Sequence, residues 1–383
     1  MILVALLKEF GWSRSVLAGA FSVFTLVHGM ASPLVGTLCN RVRPRTMMAC
    51  GGLALGLALS AASFLSQPWH LYLGFGVFTA MAIAACGWVP ALVQVQRDFQ
   101  DRLGLAIGIA SAGVGLGIFL VVPLFQLAID AWGWRTAFRA VALASVAWIV
   151  PASLLLIRRT QSREGRRTGP AGVAAAVAAP MATRSMTLAQ SMRTAPLWLM
   201  VAVYFFGNVA AQTLHVHQVA YLVDHGITAM LAASVVGVVG VSSIVGKIGG
   251  GWLSDRIDRE VVYVTGIAGV VASIGVLGSI GQLHPHWAAY GYAVLFGAGY
   301  SVTASLVPTM VSDRFGGPHF GAIVGFGMVG GAVGAALGAW LAGRLFDVSG
   351  SYAVPFAIAA AAGLAAAAAV WRARILRLRA KPL

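Results

Sequence analysis

Residues 104–117 read GLAIGIASAGVGLG, and residues 321–334 read GAIVGFGMVGGAVG. Glycines coincide at Gly104/Gly321, Gly108/Gly325, Gly113/Gly330 and Gly117/Gly334, all at an offset of 217. Glycine is frequent in membrane helices, so one coincidence carries little weight. Two further correspondences flank these four in the same order. GTLCNR at 36–41 matches GWLSDR at 251–256 at an offset of 215, and Asp130 and Asp347 each precede a glycine by three. The chain reads as an internal duplication whose copies run in the same direction.

Composition says what solvent those copies meet. Of 383 residues, 59% are hydrophobic and only 10% charged. Soluble domains carry about 25% charged residues, and a chain of this size cannot enclose so much apolar surface. These figures argue against a soluble enzyme. The cysteines Cys39, Cys50 and Cys86 lie in or beside apolar runs without metal-ligand spacing, which points to free thiols. Cutting at charges and turn residues leaves eleven runs of about 20 residues, long enough to cross a bilayer. They fall at 15–39, 46–66, 70–93, 104–128, 136–157, 196–222, 230–253, 261–281, 287–311, 319–345 and 352–371. Met1–Leu7 is apolar but short and is ended by Lys8-Glu9. It reads as the last turns of a further span, with about 20 more residues expected upstream.

The gaps alternate in charge. One set holds 20 basic residues, the other only Lys8, Arg14, Arg135, Arg139 and Arg344, with Lys247 left inside a span. Basic loops stay cytoplasmic, so the middle gap and the C-terminus are expected on the cytoplasmic side. The net charge of +15 is therefore a topology signal and does not call for nucleic acid. The expected organisation is an N-terminal bundle at 1–157, a cytoplasmic loop at 158–195, and a C-terminal bundle with a basic tail at 196–383. Within the loop, TLAQSMRTAPLW at 187–198 can lie on the membrane surface as a short helix.

Parallel six-span repeats are the internal symmetry of major facilitator transporters. The loops Gly36-Thr-Leu-Cys-Asn40-Arg41-Val-Arg43 and Gly251-Trp-Leu-Ser-Asp255-Arg256-Ile-Asp258-Arg259 resemble that superfamily's G-x-x-x-D-R-x-G-x-R loop. The resemblance implies a gate on the cytoplasmic side. The first copy departs from it, with Asn40 for the acid and Arg43 for the second glycine. Phe99-x-x-Arg102-x-x-Leu105-Ala106-x-Gly108-Ile109-Ala110-x-Ala112-Gly113 resembles the fifth-helix signature of the monocarboxylate transporter and oxalate/formate antiporter group. KEFGWSRS at 8–15 and HQVAYLVDHGIT at 217–228 are similar to its bacterial members. The implied fold class is an all-α polytopic membrane protein, the major facilitator fold of two six-helix bundles, with eleven complete spans and most of the first helix missing.

The charges inside the spans point to the cargo. Every acid falls at a span end or in a loop, whereas Lys247, His28 and His215 lie at membrane depth. A carrier of organic cations needs a buried carboxylate, so a small organic anion is the better fit. Lys247 is eight residues before Asp255, about 12 Å up its helix. A lysine there is costly and marks a functional site, or else it snorkels to the surface. Resemblance implies a carboxylate contact, since monocarboxylate transporters carry an arginine four residues before the same glycine, here Gly251. Tyr204, Asn208, Gln212 and His215 share one face of the seventh helix, at steps of four, four and three. Such a stripe lines a cavity or bonds a neighbouring helix. Tyr300 is a further candidate contact. His28 can carry a co-transported proton or stay neutral against a neighbour. Proton-coupled relatives have an acid where Ser243 stands, and residues 319–343 hold no lysine of the oxalate type. His217 and Tyr221 are expected to pack together, and Arg344 to pair with Asp347 three residues on.

The expected function is secondary active transport of a monocarboxylate-like anion by alternating access in the bacterial cytoplasmic membrane. The expected partners are the bilayer and the anion, with no nucleic acid, no metal, no cofactor and a monomeric state. Alternatives are efflux of another small molecule, or a transport-inactive sensor of the same fold. An enzyme would want a set such as H-E-x-x-H, and His215-Val-His217 has no acid beside it.

Overall fold

The computed structural model describes residues 9–10, 12, 14–99, 102–155, 186–280 and 285–379. The expected partial span at Met1–Leu7 and most of the central loop lie outside the described residues. Among the described residues, eleven helices are long and apolar enough to cross a membrane. In the first half these are α1 (Arg14–Leu38), α2 (Pro44–Ala62), α3 (Pro68–Asp98), α4 (103–132) and α5 (134–155). A four-residue turn, α6 (Leu188–Ser191), precedes the second half. There follow α7 (Ala195–Asp224), α8 (Ala229–Ser254), α9 (Arg259–Gly278), α10 (Pro285–Phe315), α11 (Phe320–Ser349) and α12 (Ala353–Arg379).

Local chemistry sets the helix ends. Pro44, Pro68 and Pro196 open α2, α3 and α7, where a missing N–H costs nothing. The Thr228 hydroxyl accepts from the Leu231 amide at the start of α8. Gly133, at φ 76°, turns α4 into α5 in a conformation closed to most side chains. The surface helix expected over 187–198 is cut short. Thr187 and Gln190 cap only Leu188–Ser191, and Pro196 lets α7 begin at once.

Two pairs of helices join the halves: α1 crosses α11, and α4 crosses α8. A Cβ at Gly36 would stand 1.9 Å from the carbonyl oxygen of Gly321, and one at Gly251 would stand 2.3 Å from that of Gly104. Backbones approach this closely only where both surfaces lack side chains. Of the glycines that reveal the duplication, Gly36/Gly251, Gly104/Gly321 and Gly108/Gly325 are the ones that join the two copies.

The buried clusters show where the halves meet. At the arginine-rich end one cluster unites Cys39, Met47, Leu92 and Ile107 of the first half with Met200, Tyr263, Met310 and Phe320 of the second. At the other end each half keeps its own. Leu59, Leu71 and Phe138 form one cluster; Leu222, Leu277 and Tyr292 belong to the other. The bundles are therefore packed together at the basic end and separately cored at the opposite one.

Candidate functional site

Lys247 sits in the second half of α8, 5% exposed. Among the described residues it forms no ion pair and no hydrogen bond. Its ammonium stands 5.9 Å from the ring centroid of Tyr300 on α10. His215 of α7 meets the same ring edge-on, with centroids 4.5 Å apart. Phe296, one turn earlier on α10, backs both, at 4.8 Å from His215 and 5.3 Å from Tyr300. The Ser243 hydroxyl on α8 donates to the Gly240 carbonyl of its own helix at 2.7 Å. Three helices thus converge on one unpaired cation beside a ring face, an arrangement that stabilises positive charge weakly. A bound carboxylate would neutralise it.

The stripe on α7 divides between two neighbours. His215 joins Lys247 and Tyr300, but Tyr204 and Asn208 lie on the glycines of α11. A Cβ at Gly327 would meet the Tyr204 ring at 2.8 Å, and one at Gly331 the Asn208 amide nitrogen at 3.1 Å. The Asn208 amide donates back to the Tyr204 carbonyl at 2.8 Å. The Tyr204 hydroxyl is buried without a hydrogen-bond partner among the described residues. Gln212 lies half-buried between the two groups. On α1, the His28 ring stacks on Phe24 at 6.1 Å and forms no side-chain hydrogen bond among the described residues.

The paired loops behave differently. Asp255 accepts from the amides of Gly104 at 2.9 Å and Leu105 at 2.8 Å, so its carboxylate caps the start of α4 across the bundle interface. A negative charge there complements the helix dipole. Arg259 holds Asp255 at 3.6 Å and Asp313 at 2.5 Å. Asn40 makes no such reach; it accepts from Arg97 of its own half at 3.3 Å. Arg256 lies over the Trp252 ring at 3.5 Å, while Arg41 stays exposed. In the signature stretch Phe99 and Arg102 are exposed, Gly113 has open space around it, and Gly108 packs on the backbone of Lys247.

Two sequence-level pairings fail. Arg344 and Asp347 form no ion pair, because spacing on a helix leaves both side chains free to extend outward. His217 bonds Tyr352, just before α12, at 3.3 Å and the Ala339 carbonyl of α11 at 3.0 Å, while Tyr221 packs on His225 at 4.0 Å. At His217, partners outside α7 took the place of Tyr221. Phe296 went unassigned as a contact. The stripe Tyr292, Phe296, Tyr300, at steps of four, was the available signal.

Two helical bundles joined by glycine-lined crossings are the architecture of a polytopic membrane transporter. A sequence model of the Major Facilitator Superfamily matches residues 1–315 and 218–382, and the chain belongs to that superfamily. Monocarboxylate transporter 13 of Rattus norvegicus is 30% identical over 352 residues, spanning 89% of this chain and 76% of its own. Monocarboxylate transporter 12 of Homo sapiens is 26% identical over 359 residues, spanning 88% and 68%. A crystal structure of the E. coli fucose:proton symporter FucP superposes with a TM-score of 0.69 at 14% identity, covering 97% of this chain and 93% of FucP. That last likeness concerns the fold alone.

Proposed function

We propose that this transporter moves a small, monocarboxylate-like organic anion across the bacterial cytoplasmic membrane, with the basic end in the cytoplasm. The observation that supports this reading is Lys247, buried, unpaired and faced by His215 and Tyr300. An uncompensated lysine at mid-membrane costs about 3 kcal/mol even on the mildest scale. A carboxylate offsets that cost and is itself desolvated at a lower penalty. The relatives named as monocarboxylate transporters favour the same cargo.

The test is uptake into proteoliposomes of lactate- and pyruvate-like acids at equal protein density. Lys247→Gln removes the charge and should lower initial rates by about a hundredfold, since losing one partner of a buried charge pair costs roughly 2–5 kcal/mol. Lys247→Arg should retain part of the rate with altered selectivity, because the guanidinium offers a planar fork in place of a point charge. Wild-type rates in Lys247→Gln across a panel of anions would reject the site.

A further inference from the structure

Apart from the site among α7, α8 and α10, the first half carries an apolar cavity of about 730 Å³ on its outer surface. Leu38 and Val42 close it at the basic end, α2 forms one wall from Thr46 to Ala61, and α3 forms the other with Phe78 and Met81. From Thr46 to Ala61 that wall of α2 rises 15 residue steps, about 22 Å, more than one leaflet of hydrocarbon. The groove owes its depth to two features of α3. Residues Tyr72–Thr79 form a π-helical stretch, with the Thr79 hydroxyl bonded to the Gly74 carbonyl five residues back. Gly74 in that stretch presents no side chain, and nothing lies within 4 Å of where its Cβ would be. Insertions of this kind reshape a helix surface and recur at functional sites.

Three arginines stand at the mouth. Arg41, Arg43 and Arg45 alternate with Val42 and Pro44 just before Thr46 enters the groove. Arg41 and Arg43 are exposed, and among the described residues none of the three meets a carboxylate. In the second half the corresponding loop is neutralised: Arg259 binds Asp255 and Asp313, and Arg374 and Arg377 bind Asp258. The first copy has lost its acid to Asn40 and keeps its cations free.

We propose that this groove is a binding site for an anionic phospholipid, with one acyl chain along α2 and α3 and the phosphate on Arg43 and Arg45, flanked by Arg41. Apolar walls alone would take any lipid tail. The free guanidiniums select the headgroup, since they match phosphate oxygens in paired hydrogen bonds. The proposal does not depend on the cargo or on Lys247.

Native mass spectrometry of the purified protein tests it, using micelles that contain phosphatidylglycerol and phosphatidylethanolamine with identical chains. Wild type should retain one phosphatidylglycerol at least about fivefold over phosphatidylethanolamine, the effect of roughly one effective arginine. The double variant Arg43→Gln, Arg45→Gln should lose that preference while still retaining lipid. Ala54→Phe, which fills the groove, should reduce retention of both lipids. Should that variant misfold, Ala61→Trp fills the far end of the same wall. Equal retention of the two lipids by wild type would overturn the proposal. So would an unchanged preference in the arginine variant, or full retention in a folded groove-filling variant.

Discussion

Gly108 of α4 lies against the backbone carbonyl of Lys247 in α8, so close that a Cβ there would stand 2.4 Å from the oxygen. The pseudo-symmetric contact in the other pair of helices is Gly325 against the carbonyl of Ser32, at 2.5 Å by the same construction. Ser32 and Lys247 differ by 215, the offset of the two loops. The duplication therefore puts a lysine and a serine at equivalent crossings, each meeting the opposite helix through its backbone.

Gly108 should not tolerate a side chain. Gly108→Val forces α4 from α8, and overpacking of this kind costs about 1–3 kcal/mol. Gly113→Ala, with open space around it, should be neutral or slightly stabilising. Melting temperatures in detergent would distinguish the two; equal shifts would argue that the crossing is loose.

Tyr300 should act through its ring face more than through its hydroxyl. Tyr300→Phe keeps the face toward Lys247 and should leave anion affinity within about threefold, while Tyr300→Leu should weaken it by roughly two- to thirtyfold, the range of cation–π contributions. Competition of unlabelled anion against labelled uptake reads both. Loss of affinity in Tyr300→Phe equal to that in Tyr300→Leu would shift the role to the phenol.

Asp255 should hold the basic end shut, and Asn40 should not. Asp255→Ala removes two charge-assisted hydrogen bonds at a helix start, each worth roughly 1.5–3 kcal/mol. Cysteines introduced on α4 and α8 at this end should become accessible to a water-soluble thiol reagent at least about tenfold faster in that background, a shift that needs only 1.4 kcal/mol. Asn40→Ala, whose partner Arg97 lies in the same half, should change accessibility little.

Acid should loosen the end of α12. Hydrogen bonds and charge from Arg374, then Arg377, hold the Asp258 carboxyl below its ordinary value of 3.8. A depressed carboxylate adds stability that is complete above its unfolded value and lost as pH falls through the folded one. Protection of the α12 end against hydrogen exchange should therefore be constant near neutrality and decline below about pH 4. Glu9, held down by hydrogen bonds from Trp134 and Arg135, should show the same sign at the opposite end. Asp258→Asn should flatten the decline at α12 alone.

The eleven spans, the duplication and the depth of Lys247 were legible in the sequence. Each depends on a local quantity: apolar length against bilayer thickness, a repeat offset, a residue count along a helix. Helical spacing likewise put Tyr204, Asn208 and His215 on one face. It could not say that α11 would cover the first two and α10 the third, because a helix period fixes a direction and leaves the neighbour undetermined. The same limit undid the pairing of Arg344 with Asp347. Side chains three apart can meet, yet interhelix contacts and access to water decide whether they do. Asp255 is the clearest division between the two levels. Its motif marked it as part of a gate, but its partners are amides of Gly104 and Leu105 in the other half of the chain. They come within reach only because glycines on α4 and α8 let two backbones approach. That approach is a property of packed surfaces, and the tertiary structure alone decided it.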